Sequence, residues 1–160
     1  MNAIRLVPQD QEGRSRGRVL LIDDDAALLG LMAHAFAAAG YTTLTAENGR
    51  KGLNLVDSYK PDLVVTDIVM PEMEGIGTIM EARRVAPDTR VIAISGGGHY
   101  GRSQNFLVWA HELGADEVLA KPFRMSSLIT AARVVLDRPP SGPSGDEAEA
   151  SGGAGIALTR

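Results

Sequence analysis

Residues 64–75 read VVTDIVMPEMEG, a short apolar run that leads into an acid and then into a turn. Valine and threonine are β-branched and favour a strand, while Pro71 and Gly75 mark the turn that follows it. No cation stands beside Asp67 in the sequence. Because an unpaired buried carboxylate is costly, an acid at this place has to be held by residues from elsewhere in the chain.

Short apolar runs and helical patterns alternate over residues 18–138, which we take as one domain. The predicted strands are 19–22, 42–46, 62–66, 90–94 and 117–120, and the predicted helices are 26–40, 49–59, 76–85, 105–114 and 126–137. We expect Gly40 and Gly114 to end their helices and Ser126 or Ser127 to cap the last one. Nearly continuous apolar strands are buried on both faces, so the expected fold is α/β, a doubly wound five-stranded parallel sheet.

The composition excludes several classes of protein. A formal net charge of -4 argues against a nucleic-acid binder, and the lack of cysteine excludes disulfides and thiolate sites. No apolar run approaches the roughly 18–20 residues that cross a membrane, and the first residues lack the apolar segment of a signal peptide. We expect a cytoplasmic protein with neither nucleic-acid nor membrane partners. Residues 1–17 are polar and residues 139–160 are rich in Gly, Pro and Ser, which predicts disordered tails.

Polar residues stand where the predicted strands end. The first strand is followed by Asp23, Asp24 and Asp25, the third by Asp67, the fourth by Ser95 and the fifth by Lys121. In doubly wound folds ligands bind beyond the carboxyl ends of the strands, so we expect these residues to converge there. Carboxylates without His or Cys suit a hard divalent cation, with Mg²⁺ the expected one.

Such an edge can also bind a phosphoryl group and accept it. A metal, a lysine and a hydroxyl together can cradle its oxygens. A carboxylate can itself be the nucleophile, and Asp67 is best placed for this because it stands alone at the end of the central strand.

Four segments together resemble a known family. LLIDDD (20–25), VVTDIVMPEMEG (64–75), VIAISG (91–96) and LAKPF (119–123) resemble, in this order and spacing, the response-regulator receiver domain of two-component signalling. The resemblance covers roughly residues 18–137 and implies a flavodoxin-like (βα)5 fold with strand order 2-1-3-4-5. It also implies roles for individual residues: Asp67 as phosphoacceptor, Asp23, Asp24 and Asp67 as Mg²⁺ ligands with the Val69 backbone carbonyl, Ser95 as the switch hydroxyl, Lys121 as the phosphate partner, and a cis Lys121–Pro122 bond.

Three features depart from the family's pattern. Val118 occupies the place of the family's switch aromatic, three residues before Lys121. The loop at 95–104 is a few residues longer than usual, and no output domain follows the last helix in this sequence. The resemblance together with these departures therefore implies a stand-alone, chemotaxis-regulator-like receiver whose switch does not use an aromatic ring.

The resemblance implies a function, and two alternatives stay open beside it. A histidine kinase or histidine phosphotransfer protein would phosphorylate Asp67, and a separate, unknown protein would read the changed surface; the protein would not be an enzyme beyond its own phosphorylation and dephosphorylation. The first alternative is a haloacid-dehalogenase-type phosphatase with Asp23 as nucleophile and Asp25 as acid, although its later acidic pair and cap are not seen. The second is a receiver-like binding module that is not phosphorylated. Asp25 has a simpler interpretation as a helix cap.

Overall fold

The computed structural model describes residues 15–68, 75–96, 112 and 114–139. Five parallel strands in these ranges form one sheet in the order β2-β1-β3-β4-β5. The strands are β1 (Arg18–Ile22), β2 (Thr42–Ala46), β3 (Leu63–Asp67), β4 (Arg90–Gly96) and β5 (Glu117–Lys121), and the helices are α1 (Ala26–Ala38), α2 (Gly49–Tyr59), α3 (Gly75–Val85) and α4 (Met125–Asp137). The predicted fold class and strand order are confirmed. The predicted helix at 105–114 lies almost wholly outside the described residues, as does Val69.

The core has two layers because successive strand residues point to opposite faces of the sheet. One layer joins alternate strand residues such as Leu20 and Val64 to α2 and α3. The other joins Leu21 and Val65 to α1 and α4. Helices therefore cover both faces of the sheet, and the polar residues that follow the strands lie at the two edges formed by the strand ends.

Two of the predicted helix ends agree with the structure and one does not. Asp25 is the N-cap of α1, and Gly40 follows that helix with a φ of 93°, which favours glycine. The expectation that Ser126 or Ser127 caps α4 is wrong. The carbonyl of Arg124 already accepts hydrogen bonds from the Ser127 and Leu128 amides, so the helix begins at Met125 and both serines lie inside its first turn.

The described chain begins slightly before the predicted start of the domain. The Arg16 amide donates to the Gly40 carbonyl over 3.0 Å, and the Ser15 hydroxyl accepts from the Thr42 amide over 3.2 Å. These bonds hold the residues just before β1 against the residues at the start of β2. The disorder of the two tails stays a prediction.

Within the described ranges, no helix has the length and apolar character needed to cross a membrane. The cytoplasmic location stays a prediction.

Candidate functional site

The carboxylates of β1 and β3 lie together at the carboxyl edge of the sheet. Ile22 pairs with Thr66 in register, which places Asp23 beside Asp67, the last residue of β3. Asp23 is fully buried, Asp67 is 5% exposed, and Asp24 is exposed. Each of the three acids offers an oxygen within 4.8 Å of the others, so the group could hold a metal ion. The all-oxygen donor set suits a hard cation.

Lys121 holds Asp67 in place. Its ammonium Nζ lies 2.7 Å from Asp67 Oδ2 and 3.3 Å from Asp23 Oδ2. Lys121 ends β5, two strands away from Asp67, and its side chain passes Gly96, its partner on β4. The peptide bond between Lys121 and Pro122 is cis, as the resemblance implies. The counter-charge for the central acid therefore comes from 54 positions further along the chain.

Burial and neighbouring charges shift the pKa values of Asp23 and Lys121, which contact each other. Burial raises the pKa of Asp23, and the negative charge of Asp67 adds to that effect against the opposing Asp25 amide and Lys121 ammonium. Burial lowers the pKa of Lys121, but the hydrogen bond and charge of Asp67, helped by Asp23, outweigh it and leave the pKa raised. Lys121 therefore stays protonated, while Asp23 resists ionisation. A bound cation would reduce the electrostatic repulsion between these carboxylates.

The side chain of Asp25 caps the helix and does not join the acid cluster. Its carboxylate Oδ1 accepts from the Ala27 amide at 3.0 Å and the Leu28 amide at 3.1 Å. Its own amide donates to Asp23 Oδ1 at 2.8 Å and so orients that acid. The helix-cap interpretation is confirmed. Because Asp25 is occupied by the amides of α1, the geometry gives no support to its pairing with Asp23 as a phosphatase acid.

Ser95 lies on β4, beside the end of β3, where the Ile68 amide bonds to the Ile94 carbonyl at 2.8 Å. Its side chain is 2% exposed, and its hydroxyl has no hydrogen-bond partner in the described part of the chain. Buried polar atoms in proteins nearly always have partners, so a buried hydroxyl without one is poised to donate to an incoming group.

Gly75 has a role that the sequence reasoning missed. A Cβ at this position would lie 1.8 Å from the Asp67 carbonyl oxygen and 2.5 Å from the Ile68 Cα. The Gly75 amide donates to the Ile68 carbonyl at 2.8 Å. The start of α3 therefore presses on the backbone of Asp67, and only glycine fits there. The sequence marks Gly75 as a turn residue and carries no sign of this contact.

Val118 replaces the expected ring with a branched aliphatic side chain. It is half-buried on β5, pairs with Ala93 and packs against the core layer that contains α2 and α3. This part of β5 therefore has no aromatic side chain that could turn inward.

Comparisons with known proteins define the class. The family model described as the response regulator receiver domain matches residues 19–133, so the chain belongs to that family. The chemotaxis protein CheY of Thermotoga maritima is 34% identical over 119 residues, which cover 74% of this chain and 96% of CheY. A CheY-like receiver domain protein from Methanospirillum hungatei has a similar solved structure, with a TM-score of 0.69, 28% identity, and coverage of 75% of this chain and 93% of that one.

Longer regulators match the same region. The probable transcriptional regulator ycf27 of Guillardia theta is 33% identical over 129 residues, which cover 81% of this chain but 49% of that protein. The chain thus spans about half the length of ycf27 and nearly all of CheY. Receiver domains take phosphoryl groups from histidine kinases and signal to downstream targets. The stand-alone arrangement stays a prediction.

Proposed function

We propose that this receiver accepts a phosphoryl group on Asp67 from a histidine kinase or a histidine phosphotransfer protein, and that a downstream protein reads the altered surface. The observation that carries the proposal is the arrangement of three carboxylates within 4.8 Å with the Lys121 ammonium 2.7 Å from Asp67. This is a nucleophile, a cation site and a phosphate partner on one edge of the sheet.

The transfer exchanges one bond to phosphorus for another. A carboxylate oxygen of Asp67 attacks the phosphorus of the donor's phosphoimidazole. The phosphorus–nitrogen bond breaks, and its electron pair leaves with the imidazole, so that Asp67 becomes an acyl phosphate. Because Lys121 already contacts Asp67, its ammonium is within reach of the new phosphoryl oxygens.

A divalent cation fits this site, and we propose Mg²⁺ held by Asp23, Asp24, Asp67 and the Val69 carbonyl. Bound there, the cation neutralises the acids and the phosphoryl oxygens. The Asp25 amide keeps Asp23 oriented toward the site. The Ser95 hydroxyl supplies a hydrogen bond to the anion once Asp67 is phosphorylated.

The decisive experiment compares two aspartates in the same chain. Wild type is incubated with Mg²⁺ and a small phosphodonor, and acid-stable, base-labile phosphate is located by mass spectrometry. We expect Asp67→Asn to keep the fold and abolish labelling. Asp25→Asn is the matched control, since asparagine caps a helix as well as aspartate does, and it should be labelled like wild type.

Each competing interpretation predicts another pattern. Full labelling of Asp67→Asn contradicts the assignment of the phosphoacceptor. Label on Asp23 that disappears in Asp25→Asn favours the phosphatase. A folded wild type that takes no label from the donor or from a histidine kinase is a binding module.

A further inference from the structure

The end of α4 cannot be capped in the usual way. Helices leave their last carbonyls without partners, and a glycine just beyond the end commonly satisfies them through backbone amides. Here the chain turns to an extended conformation at Arg138, with φ -68° and ψ 137°, and Pro139 and Pro140 follow. Neither proline has an N–H group, so neither can make those capping bonds.

Arg90, from another element, bonds the carbonyl of the C-cap residue of α4 and the carbonyl of the next residue. Its guanidinium Nη2 donates to the Arg138 carbonyl at 2.9 Å and also to the Pro139 carbonyl. Arg90 is the first residue of β4, 48 positions before Arg138, and it is 7% exposed. A positive charge at this end of a helix is favourable because the helix dipole is negative there.

Asp116 fixes the orientation of the guanidinium. Its Oδ1 accepts from Arg90 Nη1 at 3.1 Å, and its Oδ2 accepts from the Val91 amide at 2.7 Å and from Arg83 Nη2 at 2.5 Å. The side chain of Arg138 also bonds Asp116, since its Nη1 donates to the Asp116 carbonyl at 3.3 Å. The planar fork of an arginine can bond a carboxylate and two carbonyls at once, whereas a lysine ammonium is a single point of charge.

These contacts lie at the edge of the sheet opposite the phosphoacceptor. Arg90 begins β4, while Ser95 stands near the other end of that strand beside Asp67. Residues 138 and 139 therefore lie at the amino edge of the sheet.

We propose that Arg90 is a helix cap provided by the sheet, which fixes the end of α4 and the position of the chain at residues 138 and 139. This role is separate from phosphoryl transfer, so its test stands whether or not Asp67 is phosphorylated.

Amide hydrogen exchange on the full chain tests the cap. Arg90→Lys keeps the charge beside Asp116 but loses the fork. We expect exchange in the last turn of α4, residues 135–138, to become about tenfold faster, with the first turn unchanged. Arg83→Lys is the matched control, because Arg83 also bonds Asp116 but is not seen to bond either carbonyl; its last turn should exchange like wild type.

A rescue experiment separates capping from a general effect on stability. Pro139→Gly with Pro140→Ala restores two N–H groups and a residue that adopts positive φ, so a backbone cap can form. In the Arg90→Lys background this pair should return the last turn to slow exchange. Unchanged exchange in Arg90→Lys, or faster exchange along all of α4 without rescue, overturns the proposal.

A measurement on wild type covers the case in which Arg90→Lys does not fold. The Arg90 Nη protons should exchange slowly with water by NMR, since they are bonded and buried. A freely rotating, rapidly exchanging Arg90 guanidinium overturns the cap.

Discussion

At the scale of single residues, burial and a distant lysine set the chemistry of the site. Asp23 is fully buried and Asp67 almost so, yet both are acids at strand ends. Lys121 bonds both of them from 98 and 54 positions away along the chain. This pairing compensates part of the charge, and it leaves Asp23 with a raised pKa.

The raised pKa of Asp23 gives a pH dependence with a definite sign. The folded chain holds this proton more tightly than the unfolded chain, so stability from Asp23 is present at low pH and lost as pH rises from the ordinary aspartate range through the raised pKa. Asp23→Asn stays neutral, so in metal-free solution its stability relative to wild type should increase over that rise. Urea unfolding across pH about 4 to 7, with a chelator present, measures the difference.

The partly exposed carboxylate of Glu81 is a control outside the site, because the hydrogen bond from Arg84 lowers its pKa. Glu81→Gln should show the opposite dependence to Asp23→Asn, with its stability relative to wild type decreasing as pH rises. A stability difference between Asp23→Asn and wild type that is constant with pH would contradict the prediction.

At the scale of elements, the site depends on how closely α3 returns to β3. The amide of Gly75 bonds to the Ile68 carbonyl, and the helix starts against the backbone of Asp67. The start of α3 therefore helps β3 to set the position of Asp67.

Two glycine substitutions in helices should have opposite effects. Gly75→Ala places a Cβ 1.8 Å from a backbone oxygen, so we expect it to destabilise the fold by about 3 kcal/mol or more and to impair phosphorylation. Gly30→Ala, in the exposed middle of α1 with nothing within 4 Å of its Cβ, should stabilise by about 0.5–1 kcal/mol. Chemical denaturation of both variants measures this; equal effects would show that the contact at Gly75 relaxes cheaply.

At the scale of the whole molecule, the two edges of the sheet carry different polar groups. The carboxyl edge gathers the acids, Ser95 and Lys121. The amino edge gathers the ion pairs of Asp116 with Arg83 and Arg90. The two groups are therefore separated by the length of a strand.

Shortened chains test the division between domain and tails. A chain of residues 15–139 should be phosphorylated as fast as the full chain, because the remaining residues have too little apolar character to pack on the domain. A chain of residues 15–137 lacks the two carbonyls that Arg90 bonds, so it should unfold at a lower temperature. A large loss of phosphorylation rate in the 15–139 chain would show that a tail contributes to the site or to docking of the donor.

The sequence by itself determined the architecture and the composition of the carboxyl edge. Apolar runs alternating with helical patterns predict five parallel strands, since each run is short and nearly continuously apolar. Acids, Ser95 and Lys121 at the strand ends predict one polar edge, because parallel strands place their carboxyl ends together. Asp25 as a cap follows from its position directly before an apolar helix. These are consequences of local pattern.

Only the tertiary structure decided contacts between elements that are far apart in sequence. The approach of Gly75 to Asp67, the capping of α4 by Arg90, and the start of that helix at Met125 instead of at the serines were not predicted. Local preference favours serine as a helix cap and glycine as a turn residue. It indicates no partner for the side chain of Arg90 at the start of a strand. Which preference prevails depends on the distances that the folded sheet imposes, and those distances exist only once the strands are paired.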